Sequence, residues 1–307
     1  MKVSIIGGGG RVGSNAAFAL QCAGVVSEIH ILDANEQMAQ GEALDLLHGT
    51  SVIGNQKIYA GGYEKCADAD VVCITAGLRR KPDESRLDLI NRNVTLFRQI
   101  LDSLKTASLK KDAIIFVVSN PVDILTRLAI DYLKWDPKKV IGLGTQLDTA
   151  RFRSLIALET GMPANQIKAL ILGEHGDSMV PIWSSATVGG TALIKLPDFG
   201  TVAQNKIFER TKTSGAECIK LKGGAGWAVG LTIAEVIHVI ASNQPQVMPV
   251  STQLTGEYGI RGTCTSVPTL IARTGVIKRY EVELWPREAS GIVTGARQLD
   301  ETYSKVK

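Results

Sequence analysis

The stretch Gly173-Glu174-His175-Gly176-Asp177-Ser178 follows an apolar run, 167–172, and places a histidine among small and acidic residues at the expected end of a strand. Such a ring titrates near neutral pH and can take a proton from a hydroxyl. Read alone, a lone histidine is more often a core residue with its partners satisfied. Asp148 and Arg151 stand three residues apart on a predicted helix and share a face. That pair is either an ordinary helical ion pair or the carboxylate and cation of a site. Arg86 closes a loop, 77–86, that also carries Arg79, Arg80 and Lys81, and a loop of this kind is often no more than a solvated surface. Together these residues meet a definite need. Hydride transfer on a 2-hydroxy acid requires a base for the hydroxyl proton, a cation for the carboxylate and a second cation to polarise the carbonyl.

A hydride also needs an acceptor, and Gly8-Gly-Gly10-Arg-Val-Gly13 fits the dinucleotide-binding pattern between the apolar run 3–6 and a helix expected from about Val12. The first glycine permits a tight turn, the second lets a pyrophosphate approach the backbone, and the third brings helix against strand. Asp33 ends the next apolar run, 29–33, where a carboxylate can accept hydrogen bonds from an adenosine ribose. That carboxylate would repel the extra phosphate of NADP, so NAD is the expected cofactor. The competing reading leaves Asp33 as a cap for the next helix. Short-chain dehydrogenase chemistry needs Tyr-x-x-x-Lys on a central helix, and the match here is Tyr303 with Lys307 at the C-terminal end. Zinc chemistry needs grouped ligands, but His30, His48, His175 and His238 have no cysteine or acidic partner at ligand spacing. A metal-free reaction is expected.

The elements that must position these residues alternate in the first half. Apolar runs at 3–6, 29–32, 57–60, 71–75, 114–118 and 140–142 are separated by helical stretches such as 12–23, 86–106 and 122–133. This order predicts an α/β fold: a Rossmann doubly wound parallel sheet over 1–142, which binds NAD, followed by an α+β substrate-binding and catalytic domain over 143–307. Residues 225–241 are apolar on nearly every face and are expected to pack back on the first domain. Pro286 suits the first turn of a terminal helix. At 307 residues, 45% hydrophobic and 21% charged, the chain can fill a core and is not disordered. The net charge of +4 is spread along the chain, which argues against nucleic acid as a partner. Cysteines at 22, 66, 73, 218 and 264 have neither zinc-knuckle spacing nor the even count of a disulfide framework. The start MKVSIIGGGG lacks the order of a signal peptide, and no apolar run is long enough to span a membrane, so a cytoplasmic protein is expected. The sequon at Asn93 then carries no meaning.

At this point the sequence resembles the L-lactate and malate dehydrogenase family over nearly its whole length, through residues 5–13, 76–86, 118–123, 147–152, 173–178 and 221–223. The resemblance implies that His175 is the proton acceptor, that Asp148 orients it, and that Arg86 comes down with a mobile loop to polarise the carbonyl. It assigns Arg151 to the substrate carboxylate, as a two-pronged guanidinium suits. Asn120 would lie between substrate and nicotinamide, while Asn93 and the backbone near Val118 would touch the cofactor. It also implies a homotetramer.

Within that family, Arg80 stands where lactate-specific members carry glutamine and malate-specific members carry arginine. Oxaloacetate brings a second carboxylate that needs a cation, whereas a buried arginine facing the methyl of pyruvate would lack a partner. Ala225, where lactate members usually have threonine, leaves room for that carboxylate. The expectation is therefore malate dehydrogenase activity, (S)-malate with oxaloacetate, in the tricarboxylic acid cycle. The alternatives are an L-lactate or other 2-hydroxy acid dehydrogenase and, more remotely, a non-catalytic NAD-binding protein. Asp83 departs from the glycine usual in the loop. Arg153 matches a sugar-phosphate contact of allosteric relatives, but Lys168 stands at the histidine partner position, so no such activation is expected.

Overall fold

The computed structural model describes residues 1–79, 83–197 and 199–306. Six short apolar strands form a parallel sheet: β1 (Lys2–Ile6), β2 (Glu28–Leu32), β3 (Lys57–Ala60), β4 (Val71–Ile74), β5 (Ile114–Val117) and β6 (Val140–Gly142). Their order, β3-β2-β1-β4-β5-β6, reverses direction between β1 and β4. A ligand crevice opens outside the strand ends at such a switch point. β1, β4 and β5 are buried on both faces, which explains why they read as unbroken apolar runs instead of alternating ones. The expected α/β class and doubly wound sheet are therefore present.

Helices cover both faces. On one side α1 (Arg11–Ala23), α2 (Glu36–Ile53) and α7 (Trp227–Ser242) pack over Ile5, Ile29, Ile31 and Phe116. On the other lie α3 (Arg86–Ala107), α4 (Val122–Leu133) and α8 (Pro286–Val306), over Val72, Ile74, Ile115 and Val117. The apolar stretch expected to begin at Ala225 becomes helical at Trp227. Gly223 and Gly224 hold positive φ, and Gly226 is the non-helical cap. At Gly230 a Cβ would lie 2.8 Å from the backbone of Asn15, so the approach of α7 to α1 depends on glycine there.

The second half adds α5 (Gln146–Thr160), α6 (Thr201–Lys222) and a separate small sheet of β7 (Ile167–Leu172), β8 (Val180–Val188) and β9 (Thr191–Ala192). Three antiparallel strands, β10 (Gln246–Thr255), β11 (Arg261–Ala272) and β12 (Gly275–Arg279), extend the parallel sheet beyond β6 through the pairing of Ser251 with Gly142. The main sheet thus runs through both halves of the sequence, and the ends of β5, β6, β7 and β11 converge. No helix among the described residues is long and apolar enough to cross a membrane.

Candidate active site

α5 starts at a fixed place because Thr145 is held on both sides: its N–H donates to Ser266 Oγ at 3.0 Å and its hydroxyl to the carbonyl of Ile171 at 2.6 Å. The first turns of α5 then carry Asp148 and Arg151 toward the end of β7. Asp148, with its side chain 1% exposed, uses both oxygens. Oδ2 meets His175 Nδ1 at 2.5 Å, and Oδ1 accepts from Arg151 Nη1 at 3.1 Å. The ordinary ion pair and the lone histidine of the sequence are therefore one constellation. A carboxylate on Nδ1 fixes the tautomer, which leaves Nε2 as the nitrogen for a reacting proton.

His175 reaches this position through a clamped backbone. Gly173, at φ +86°, bridges to Ser266 on β11 in both directions, at 2.9 and 3.0 Å. The N–H of His175 donates to Asp123 Oδ2, in the first turn of α4, at 2.8 Å. Arg86 opens α3, whose start is set by Ser85 accepting from the N–H of Asp88. Its exposed guanidinium pairs with Asp177 and, at 3.5 Å, with Glu174, so it faces the same loop as His175. Asp83 lies at φ +61°, a region that favours glycine. Arg80 lies outside the described residues.

Electrostatics sharpen this arrangement. Burial alone would lower the pKa of His175, but the Asp148 carboxylate and its hydrogen bond raise it above the usual histidine value. Burial works against the ionisation of Asp148 as well, yet His175 and Arg151 hold it below the usual carboxylate range. For Asp123, burial outweighs the His175 and Ser251 interactions and pushes its carboxyl up to about 7.

The glycine turn between β1 and α1 is built by backbone packing. A Cβ at Gly13 would lie 2.4 Å from the carbonyl oxygen of Gly7, and one at Gly8 2.6 Å from Ile31. At Gly10 a Cβ would lie 3.2 Å from the carbonyl oxygen of Gly7, a close contact, and Gly10 itself lines the adjoining cavity. Asp33 Oδ2 accepts from the N–H of Gly9 at 3.1 Å and Oδ1 from that of Asn35 at 3.0 Å. The cap of α2 is Asn35, so Asp33 is free of that duty. A cavity of about 670 Å³ follows, lined by Gly7, Gly10, Asp33, Ala34, Ala76 and Gly77 among others. The glycine-rich wall beside the Asp33 carboxylate fits a dinucleotide such as NAD.

Asn93 is buried and fully engaged: Oδ1 accepts from the N–H of Leu78 at 2.8 Å, and Nδ2 donates to the carbonyl of Leu89 at 3.1 Å. It thereby supports the segment after β4 that lines the cavity. The Val118 N–H belongs to the sheet, donating to Ile74. Asn120 is exposed on the turn before α4, with Oδ1 accepting from the N–H of Val122 at 3.3 Å. Arg153 donates from Nε to the carbonyl of Ala169 at 2.9 Å.

Three residues of the site carried no role in the sequence. Gly7 holds φ +84° against Ala76, 2.6 Å from where its Cβ would be, and the run of four glycines from 7 to 10 was its available signal. Glu174 and Asp123 act across the fold, at separations that no local pattern reveals.

A family model for the lactate/malate dehydrogenase NAD binding domain matches residues 1–142, and one for the lactate/malate dehydrogenase alpha/beta C-terminal domain matches 145–307. An L-lactate dehydrogenase of Acetivibrio thermocellus is 39% identical over 280 residues, covering 90% of this chain and 87% of the relative. One from Synechococcus is 35% identical over the full length of both chains. Among solved structures, the ligand-bound minor L-lactate dehydrogenase of Enterococcus mundtii superposes with a TM-score of 0.95 at 35% identity, covering 100% of this chain and 98% of the other. These findings overturn the expectation of malate dehydrogenase activity and of a place in the tricarboxylic acid cycle. That expectation rested on the single guanidinium of Arg80 and on the space beside Ala225, whereas relatives matched over the whole chain carry the lactate name.

Proposed function

Because the chain belongs to the lactate/malate dehydrogenase family, we propose that it is an L-lactate dehydrogenase, interconverting L-lactate and pyruvate with NAD as its cofactor. The observation that carries this reading is Asp148 bridging His175 and Arg151, which sets a proton acceptor and a carboxylate-binding cation side by side. The names of the full-length relatives support the substrate.

Bound NAD supplies the hydride acceptor, and its reduced form the donor. His175 Nε2 accepts the hydroxyl proton of lactate and returns it to the carbonyl oxygen of pyruvate. Asp148 holds the resulting positive charge and keeps the ring oriented. Arg151, with donors beyond the one given to Asp148, takes the substrate carboxylate in a two-pronged grip. Arg86 exchanges its partners Asp177 and Glu174 for the carbonyl oxygen, and Asn120 donates on the side facing the nicotinamide. Gly8, Gly10 and Gly13 shape the pyrophosphate turn, Asp33 accepts from the adenosine ribose, and Val118 lines the nicotinamide side. Asn93 serves the cofactor through Leu78. Residues 1–142 hold the cofactor and 143–307 the substrate. The same reading makes the protein a cytoplasmic homotetramer, the assembly its family resemblance implies, and exposed Phe18, Leu44, Leu47, Trp227 and Leu231 offer apolar surface for such contacts.

The test is NADH oxidation with pyruvate and oxaloacetate side by side. A higher kcat/KM for pyruvate, with L-lactate as product, is expected; a preference for oxaloacetate would refute the substrate.

A further inference from the structure

Asp123 is an acidic side chain 3% exposed, in the interior, and the His175 ring is the titratable cation that faces it. Its Oδ2 accepts from the backbone N–H of His175 at 2.8 Å, while the buried Ser251 hydroxyl faces the carboxyl without a well-formed hydrogen bond to Oδ1. A buried carboxyl that is only partly paired is costly, and its presence calls for a function. The place of Asp123 supplies one. It sits three residues after Asn120, in the first turn of α4, where the positive end of the helix favours an acidic group. Its single strong bond crosses to the loop after β7. The imidazole of His175 is fixed by Asp148 from α5, and its main chain by Asp123 from α4. Two carboxylates from different helices, α4 and α5, thus define where Nε2 stands relative to Asn120.

We propose that Asp123 is a positioning residue for His175, tying the main chain of the proton acceptor to the turn that carries Asn120. This rests on the reading of His175 as the base. The groups facing His175 are Asp148 and Arg151 from α5, Asp123 from α4 and its neighbour Glu174. Those facing Asp123 are His175, Glu174, Ser251 on β10 and Cys264 on β11. The negative charge of Asp123 adds to that of Asp148 in favouring the protonated ring.

Asp123→Ala and Asp123→Asn separate the two contributions. The alanine variant loses the anchor, and kcat for pyruvate reduction should fall on the order of tenfold to a hundredfold with NADH affinity unchanged, as a small misplacement of a catalytic group does. Asparagine keeps an oxygen for the His175 N–H and offers an amide to Ser251 Oγ, so it should restore most of kcat. Having lost the charge, it should also lower the His175 pKa, read by NMR titration of the four histidine rings. An alanine variant with wild-type kcat would overturn the proposal, as would an asparagine variant equally impaired with an unshifted ring. If the wild-type protein turned over no 2-oxo acid, the functional reading would fail by itself, and the NMR titration would still decide whether Asp123 governs His175.

Discussion

The glycine turn and the histidine cluster solve opposite problems. At the turn, function comes from what is missing: side chains absent at Gly7, Gly8 and Gly13 allow close packing, and the Asp33 carboxylate is held by two main-chain N–H groups. At the cluster, function comes from charges held within reach of each other, with Asp148, Arg151 and His175 from α5 and the loop after β7, and Arg86 from α3. The first is set by sterics over one short segment. The second depends on α5, α3 and the loop after β7 meeting, and so on the whole fold.

Substitutions at the two places should therefore fail differently. Arg151→Gln should have the largest effect, since it removes both the substrate cation and a partner of buried Asp148. A loss of about 3–5 kcal/mol, or at least a hundredfold in kcat/KM for pyruvate, is expected with NADH binding retained. Steady-state kinetics beside an NADH fluorescence titration would check this. Asp148→Asn should come next. Pyruvate reduction needs protonated His175, so its rate is level below the His175 pKa and falls above it. Because Asp148 raises that pKa, the amide should move the fall to lower pH and reduce kcat, measurable as a kcat/KM pH profile. Gly13→Ala should be smallest in catalysis and show instead as lost stability and weaker NADH binding. Its Cβ would meet the Gly7 backbone at 2.4 Å, a strain of about 1–3 kcal/mol visible as a lower Tm. If it instead abolished turnover with Tm and NADH affinity intact, the contrast between the two regions would be broken.

The same contrast explains what the sequence could reveal. Gly8, Gly10, Gly13 and Asp33 were legible because their geometry is local, a strand, a turn and a helix in one stretch. The strands β1, β4 and β5 were legible because burial on both faces makes them apolar throughout. Asp148 and Arg151 were legible as a helical pair, but nothing in local spacing joins Asp148 to His175, twenty-seven residues away; that link came from the family resemblance and from the folded geometry. Asp123 stayed silent because a hydrogen bond to a main-chain N–H fifty-two residues away has no sequence signature. The substrate was the least legible feature, since one guanidinium at Arg80 pointed to a second carboxylate that the relatives do not support.

The most direct measurement is kcat/KM for pyruvate with NADH in the wild-type protein and in His175→Asn, alongside the NADH dissociation constant of each. If His175 is the proton donor and acceptor held by Asp148, the variant should lose on the order of a hundredfold or more in kcat/KM and bind NADH as tightly as before. Near-normal turnover of pyruvate by His175→Asn would contradict it.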